Sequence, residues 1–173
     1  MKKKLAISSV IQLLGLMLSW MVLLSCSQTP AIPAPYEVTE AAYELSFYYI
    51  GMDYAWGGQS YWHESNGSVD CSGLVINIYQ EVGERYGLKL PFSDTTSTEL
   101  FAFYTKPVQT PFRGDIIFMG EEQDITHVAI FHRFFDAEIE FLDAYSVTGS
   151  VEIRRYPASS PKIKGFGRML VQP

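Results

Sequence analysis

The stretch VDCSGLVINIYQEV, residues 69–82, carries the strongest periodic signal in the chain. Its apolar side chains recur three and four residues apart, at Cys71, Leu74, Val75, Ile78, Tyr79 and Val82. This spacing places them on one face of a helix. Asp70 directly precedes the first periodic residue and is of a type that caps helix N-termini. The sequence therefore predicts an amphipathic helix that begins at Cys71 and ends near ERYGLKLP, residues 84–91.

Cys71 would occupy the first turn of this helix. Backbone N–H groups there lack intrahelical partners, and the helix dipole stabilises negative charge. Both effects favour a thiolate and can bind an oxyanion. Gly73 would leave the backbone beside the sulfur uncovered, so that a substrate could approach. A first-turn cysteine can equally pack inward as a small apolar side chain, and position alone does not choose between these roles.

A nucleophilic thiol needs a base, and the chain has 3 histidines, His63, His127 and His132. His63 falls in a polar, turn-rich loop, where solvent exposure is expected. His127 and His132 flank VAIF, and their spacing puts them on opposite faces of an extended strand. His127 opens that strand, where its side chain can reach a cleft, whereas His132 precedes Arg133 and is expected to meet solvent. His127 is therefore the predicted base.

Asp143 interrupts the apolar run IEFLDAYS, residues 139–146. An acidic residue in such a run is either exposed on one face or paired. If this run forms a hairpin with THVAIFHRFF, residues 126–135, Asp143 lies near His127. It could then orient the imidazole, as the third group of a catalytic triad does. A solvated carboxylate on a strand is the alternative.

The remaining patterns predict an α+β fold. VTEAAYELSFYYI, residues 38–50, has helical spacing, with Thr39 as N-cap and Gly51 as the stop. A weaker helix is predicted at STELFAFY, residues 97–104, and residues 52–69 are turn-rich and predicted as a loop. Four β-rich runs follow, at 114–120, 126–135, 139–146 and 150–156. We expect helices packed on one face of a small antiparallel sheet of three to five strands, or of an open barrel.

Residues 1–25 have the pattern of a secretion signal. MKKK is positively charged, and an apolar stretch follows that ends in LLSC, residues 23–26, which resembles the signal for lipid attachment at a cysteine. We expect cleavage before Cys26 and lipid on that residue; an uncleaved signal anchor is the alternative. SQTPAIPAP, residues 27–35, is proline-rich and predicts an extended tether. The predicted organisation is a signal peptide over 1–25, a lipidated cysteine and tether over 26–35, and one folded domain over 36–173.

Acidic residues outnumber basic ones, with 19 Asp and Glu against 13 Lys and Arg and a net charge of −6. Loss of residues 1–25 would remove Lys2, Lys3 and Lys4 and leave the mature chain near −9. This balance argues against nucleic-acid binding, which needs a basic surface. The histidines and acidic residues lack metal-site spacing such as H-E-x-x-H, so no metal and no other cofactor is expected.

Five blocks in this order resemble the NlpC family of papain-like cysteine peptidases, which cut the stem peptides of bacterial peptidoglycan. The blocks are YAWGG (54–58), DCSGLV (70–75), RGDIIFM (113–119), THVAIF (126–131) and LDAY (142–145), and the resemblance extends over about residues 45–170. It implies a papain-like α+β fold with the catalytic cysteine at a helix N-terminus. It also implies Cys71 as nucleophile, His127 as general base and later acid, and Asp143 as the residue that orients the imidazole.

The resemblance implies further site residues around the thiol. Tyr54 would lie beside the sulfur and donate a hydrogen bond to the oxyanion. Asp70 and Ser72 resemble positions that bind the free amine of the terminal L-alanine in members with that specificity. Trp56 and Trp62 are candidates for the wall of the substrate groove.

Together these residues predict a lipid-anchored peptidoglycan endopeptidase that cuts the γ-D-glutamyl–diamino acid bond through an acyl-enzyme on Cys71. Asp143 stands where the family most often has His, Asn or Gln, which keeps a second hypothesis open: a stem-binding protein of the same fold with weak or no catalysis. An acyltransferase or amidase that uses the same Cys–His pair is a third hypothesis. The expected partners are stem peptides and, through lipid on Cys26, a membrane of the cell envelope, the outer membrane where one exists. The chain is expected to be monomeric.

Overall fold

The computed structural model describes residues 29–173, of which Ala31–Pro173 form one compact unit. The predicted signal peptide and Cys26 lie outside the described residues. In chain order the elements are β1 (Ile32–Pro33), α1 (Tyr36–Ser46), a 3₁₀ turn (Phe47–Tyr49), β2 (Asp53–Tyr54), β3 (Ser68–Val69), α2 (Cys71–Tyr86), α3 (Ser97–Glu99), a π-helical turn (Leu100–Tyr104), β4 (Thr105–Val108), β5 (Ile116–Met119), β6 (His127–Phe135), β7 (Glu138–Tyr145), β8 (Ser150–Pro157) and β9 (Ile163–Val171). Within residues 29–173 no helix is both long and apolar enough to cross a bilayer.

One sheet joins the strands of this part of the chain in the order β1-β9-β5-β6-β7-β8-β2-β3, and β4 also pairs with β9. Neighbouring strands are antiparallel, except that β2 and β3 are parallel. The four predicted β-rich runs correspond to β5, β6, β7 and β8. The predicted α+β fold with a largely antiparallel sheet is confirmed, but the expected size of three to five strands is wrong, because the sheet of residues 29–173 has nine strands.

Apolar side chains cover both faces of the sheet. Along β5, Ile116 and Phe118 belong to the core that includes the buried faces of α1 and α2, whereas Ile117 and Met119 belong to a second core on the other face. This alternation is the two-residue period of a strand, and it explains why all four residues are buried. The helices pack on one face as predicted, but the opposite face is not open to water.

The structure confirms helix α2 as the sequence predicts it. Asp70 is the N-cap, with extended backbone, and its side chain accepts a hydrogen bond from the Gly73 N–H. The helix ends at Gly87, which has a φ of 68°, a left-handed conformation that glycine adopts without Cβ strain. The apolar stripe is fully buried at Leu74, Val75, Ile78, Tyr79 and Val82.

The first helix differs from the prediction at its N-terminus. It begins at Tyr36 after Pro35, and Thr39 lies inside it, fully buried, with its hydroxyl donating to the Tyr36 carbonyl at 2.8 Å. The prediction of Thr39 as N-cap is wrong, because proline holds a φ that suits a helix start and so allows the helix to begin earlier. The 3₁₀ turn extends the element to Tyr49, and Gly51, at a φ of 85°, follows as predicted.

Several strands left no readable signal in the sequence. β2 and β3 lie inside the predicted loop and have two residues each, too few to show a period. β9 contains glycines, which lower strand propensity. Gly167 is required there, because a Cβ at this position would lie 2.6 Å from the Thr105 hydroxyl oxygen.

The predicted tether also belongs partly to the fold. Ile32 and Pro33 pair with Val171 and Leu170 of β9, and the Ala34 N–H donates to the Met169 carbonyl at 2.8 Å. Ala34 is 3 % exposed. Ile32 and Pro33 of the proline-rich segment therefore form an edge strand of the sheet, and Ala34 is buried against β9.

His132 is buried, so the prediction that it meets solvent is wrong. Its side chain lies on the face of β6 that bears Val128 and Ile130, which the helices cover, and its ring contacts those of Tyr43 and Phe47 at centroid distances of 4.8 and 5.0 Å. The β6–β7 register shifts at this residue. The sequence signal failed because Arg133, which follows, is exposed, and because neither the bulge inside β6 nor the helix that packs over His132 can be read from the local sequence.

Candidate active site

The start of α2 is tied to the YAWGG segment through Asp70. One carboxylate oxygen accepts hydrogen bonds from the Gly73 N–H at 2.7 Å and the Ser72 hydroxyl at 2.9 Å. The other accepts from the Gly57 N–H at 3.0 Å, and the Asp70 N–H donates to the Gly58 carbonyl at 2.9 Å. The carboxylate therefore fixes the first helical turn, which carries Cys71, against the loop that follows Tyr54.

Gly73 has a different role from the one expected. A Cβ on this residue would lie 2.1 Å from the Gly58 carbonyl oxygen. Glycine is required because the YAWGG segment packs directly on the helix, so the prediction that Gly73 leaves this backbone uncovered for a substrate is wrong. The contact brings the loop and the first turn of the helix to van der Waals distance.

His127 and Asp143 meet across the β6–β7 hairpin. His127 Nε2 and Asp143 Oδ2 are 2.5 Å apart, and the Asp143 side chain is fully buried. The hairpin that the sequence analysis required for this contact is present. Asp143 is thus paired and not a solvated strand carboxylate, while His63, in its loop, is exposed.

The imidazole of His127 is held between Asp143 and the Cys71 thiol. Burial acts to lower the pKa of His127, but hydrogen bonds to Asp143 and Cys71, together with the negative charge of both groups, outweigh burial and raise the pKa to about 9. With one ring nitrogen on Asp143, the other is available to the sulfur. A protonated imidazole in this place stabilises negative charge on a neighbouring sulfur. A thiol, an imidazole and a buried carboxylate thus lie next to one another in this order.

Tyr54 also lies at this centre. Burial and the nearby negative charges of Cys71 and Asp70 raise the pKa of its phenol, so the hydroxyl stays protonated and can donate a hydrogen bond. Trp56, two residues on, is 91 % exposed, and Trp62 packs against Tyr48 at a centroid distance of 5.1 Å. The structure therefore brings Tyr54 to the thiol and leaves both tryptophans on the surface.

The sequence profile of the NlpC/P60 family matches residues 51–164. The chain belongs to the NlpC/P60 family. The match covers the loop of Tyr54, helix α2 and the strands that carry His127 and Asp143. The region that matches the family profile therefore includes all the side chains that cluster around the thiol.

Solved structures agree with this fold. The chain is similar to a lipoprotein-like NLP/P60 family protein from Staphylococcus aureus, at 24% identity and a TM-score of 0.55, over 83% of this chain and 45% of that one. It is also similar to NlpC1 from Trichomonas vaginalis, at 19% identity and a TM-score of 0.58, over 80% and 46%. The NlpC/p60 domain of the peptidoglycan hydrolase SagA matches at 21% identity and a TM-score of 0.50, over 78% and 97%. The chain spans about half the length of the first two proteins, and no curated protein sequence matches it.

Sequence reasoning missed Arg154, which this NlpC/P60 domain places against the carboxylate of Asp143. Arg154 Nε donates to Oδ1 at 2.9 Å, and Arg154 Nη2 donates to Oδ2 at 2.6 Å. Arg154 lies opposite Phe141 in the β7–β8 register, which makes it the diagonal neighbour of Asp143 on one face. Only a known register could have revealed this pair, because two arginines stand side by side in β8.

A cavity of about 430 Å³ opens beside His127 and was also not predicted. Met119, Tyr145 and Tyr156 give it apolar and aromatic walls, and its charged lining includes both signs, with Arg154, Lys162, Glu121 and Asp124. Among residues 29–173 no group of three His, Cys, Asp or Glu side chains is placed to hold a metal ion. The site offers a thiol, an imidazole and a mixed-charge pocket.

Proposed function

We propose that the chain is a cell-wall hydrolase that acts as a cysteine peptidase on peptidoglycan stem peptides. The observation that carries the proposal is the bonding of His127, which binds the buried Asp143 carboxylate at 2.5 Å and interacts with the thiol of Cys71 at the first turn of α2. Membership of the NlpC/P60 family and the likeness in fold to a peptidoglycan hydrolase domain support the same substrate class.

The proposed reaction proceeds through an acyl-enzyme. The thiolate of Cys71 attacks the peptide carbonyl carbon, and the carbonyl oxygen becomes an oxyanion. Unpaired N–H groups of the first helical turn and the hydroxyl of Tyr54 stabilise that charge. His127 then donates its proton to the leaving amine, the C–N bond breaks and a thioester remains. The neutral imidazole next takes a proton from water, whose oxygen attacks the thioester and releases the carboxylic acid and the thiolate.

The bond we propose is the one between γ-D-glutamate and the diamino acid, as the resemblance implies. Asp70 and Ser72 would meet the free amine at the stem's N-terminus, since the side chains of both lie at the start of α2 and are hydrogen-bonded to each other. Trp56, which is exposed next to Tyr54, would form part of the groove wall. The cavity beside His127 would receive the leaving amino acid.

The test is mass spectrometry of purified stem peptides incubated with the full chain and with two variants, Cys71→Ala and His127→Ala. We expect cleavage between D-glutamate and the diamino acid by the parent chain and none by either variant. Full activity of Cys71→Ala would refute the assignment. Binding of intact peptide without cleavage by the parent chain would instead support a stem-binding protein of the same fold.

We also propose that the protein is held in the cell envelope through lipid on Cys26. The support is the sequence pattern of residues 1–26, a charged start and an apolar run before LLSC. Mass spectrometry of the mature N-terminus tests this directly, with Cys26→Ser as the matched variant. An N-terminus other than Cys26, or a Cys26 without added mass, would refute it.

A further inference from the structure

The carboxylate of Asp143 binds two partners, Arg154 and His127. Arg154 binds both of its oxygens, at 2.9 and 2.6 Å, and His127 Nε2 shares Oδ2 with Arg154. The Asp143 side chain is fully buried, and that of Arg154 is 13% exposed. A buried carboxylate is costly unless it is paired, and a two-point arginine contact both neutralises and orients it.

Arg154 is itself held in place by aromatic side chains. Its guanidinium carbon lies 3.4 Å from the centre of the Tyr145 ring and 5.2 Å from that of Tyr156. Arg154 Nη1 also donates to the Tyr156 hydroxyl at 3.4 Å. The positive charge is thus fixed beside Asp143 and is not free to move into solvent.

The charged and titratable groups around His127 come from several elements. Helix α2 contributes Cys71, β7 contributes Asp143 and Tyr145, and β8 contributes Arg154 and Tyr156; the rim of the adjoining cavity adds Glu121, Asp124 and Lys162. Arg154 is the cation of this set that contacts the carboxylate bound to His127. It is therefore placed to oppose the attraction between Asp143 and a protonated imidazole.

We propose that Arg154 is a positioning residue for the Cys71–His127 pair, which fixes Oδ2 of Asp143 toward the imidazole and offsets the negative charge that this carboxylate exerts on it. The inference rests on the proposed function for its effect on hydrolysis. Its effect on the imidazole is a property of the folded chain and needs no substrate.

The consequence concerns the proton on His127. In Arg154→Gln the full charge of Asp143 acts on the imidazole, which then keeps its proton to higher pH. A single charge at this range shifts a titration midpoint by about 1–3 pH units. An imidazole that stays protonated cannot accept a proton from water, so acyl-enzyme breakdown slows at neutral pH and the pH optimum moves upward.

The experiment is NMR titration of the full chain with ¹³C-labelled histidine. The chain has 3 histidines, so His63 and His132 serve as internal references, and the His127→Ala variant assigns the third signal. Arg168→Gln is the matched control, because Arg168 binds the buried carboxylate of Asp115 at two points, 2.9 and 2.8 Å, with a side chain 17% exposed. Arg168→Gln therefore breaks a similarly buried ion pair that lies away from His127.

We expect the His127 midpoint to rise by about 1–3 units in Arg154→Gln and to stay unchanged in Arg168→Gln. A midpoint unchanged in Arg154→Gln, or shifted equally in Arg168→Gln, would overturn the inference. If Arg154→Gln does not fold, two other variants decide. The single variant Asp143→Asn leaves the positive charge of Arg154 unopposed. The His127 midpoint should therefore be lower in this variant than in the double variant Asp143→Asn/Arg154→Gln. Equal midpoints in the two variants would overturn the inference.

The rate of stem-peptide hydrolysis as a function of pH is a second, separate measurement. An upward shift of the pH optimum in Arg154→Gln, beside an unchanged optimum in Arg168→Gln, supports the inference. If the parent chain cuts no peptide but the NMR midpoint shifts as expected, the proposed function fails and the role of Arg154 stands. If peptide is cut and the midpoint does not move, the inference fails and the proposed function stands.

Discussion

Acid should destabilise this domain through His132, a histidine that lies outside the candidate site. Its side chain is buried under α1, where the Ser46 hydroxyl is 3.3 Å from Nε2 and the rings of Tyr43 and Phe47 pack against it. Burial lowers the pKa of His132 to about 4, and the charge of Arg133 also lowers it, against an opposite effect of Glu140. The folded state therefore holds the neutral imidazole.

The sign and size of the effect follow from this pKa. A histidine in the unfolded chain takes up a proton near pH 6.5, whereas folded His132 does so only near pH 4. Between these values the unfolded state binds more protons, so the unfolding free energy falls as pH falls. The loss is about 2 kcal/mol between pH 7 and pH 5 and approaches about 3 kcal/mol below pH 4.

The assay is urea denaturation of the parent chain and of His132→Phe at a series of pH values from 8 to 4.5. Phenylalanine fills the site without a titrating group, and Ser46 keeps its hydrogen bond to the Tyr43 carbonyl. Subtracting the two curves removes the carboxylates and His127, which both proteins share. The stability of the parent relative to the variant should fall by about 2 kcal/mol from pH 7 to pH 5. His63→Gln, which removes an exposed histidine, is the control, and parallel curves for parent and His132→Phe would refute the reasoning.

Three further predictions concern the site. Asp143→Ala should lower the rate of stem-peptide hydrolysis by about 10²–10⁴-fold, by analogy with triad orienters; an unchanged rate would remove Asp143 from the mechanism. Gly73→Ala places a Cβ 2.1 Å from the Gly58 carbonyl oxygen, so the YAWGG segment must move, and we expect a lower melting temperature and lost activity; a fully active, equally stable variant would contradict the contact. The raised pKa of His127, about 9, means that folding stabilises the protonated imidazole, a contribution fully present below pH 6.5. Stability should therefore fall by about 3 kcal/mol between pH 6.5 and pH 10, an alkaline loss that His127→Gln should not show in urea titrations extended to pH 10.

The parts of the fold that sequence predicted have local signals. Helix α2 is specified by a repeating apolar stripe, an N-cap and a C-terminal glycine, all within 20 residues of one another. The four central strands are long enough to show β-rich composition between turn residues. Two-residue strands such as β2 and β3 have no period to read, and β1 could not be recognised because its proline-rich sequence also suits an extended tether.

The residues of the candidate site differ in the same way: some have a local sequence signal, and Arg154 has none. Cys71, His127 and Asp143 could be named as candidates from sequence because each stands at a predicted element boundary or inside an apolar run, and the resemblance to the NlpC family implied their roles. Arg154 could not be selected, because its pairing with Asp143 depends on the register between β7 and β8. The charges that surround His127, and hence its proton affinity, therefore depend on the register of the strands and cannot be read from the sequence alone.

The sequence by itself determined the α+β class and the helix that carries Cys71, since these depend on neighbours a few residues apart, and it named His127 and Asp143 as candidates. Only the tertiary structure decided which charges are buried and what pairs with them. Asp143 is bound by Arg154 from the next strand, and His132 is covered by a helix that begins nearly 100 residues earlier in the chain. Burial and electrostatic pairing depend on contacts between distant segments, and no local pattern of residues records them.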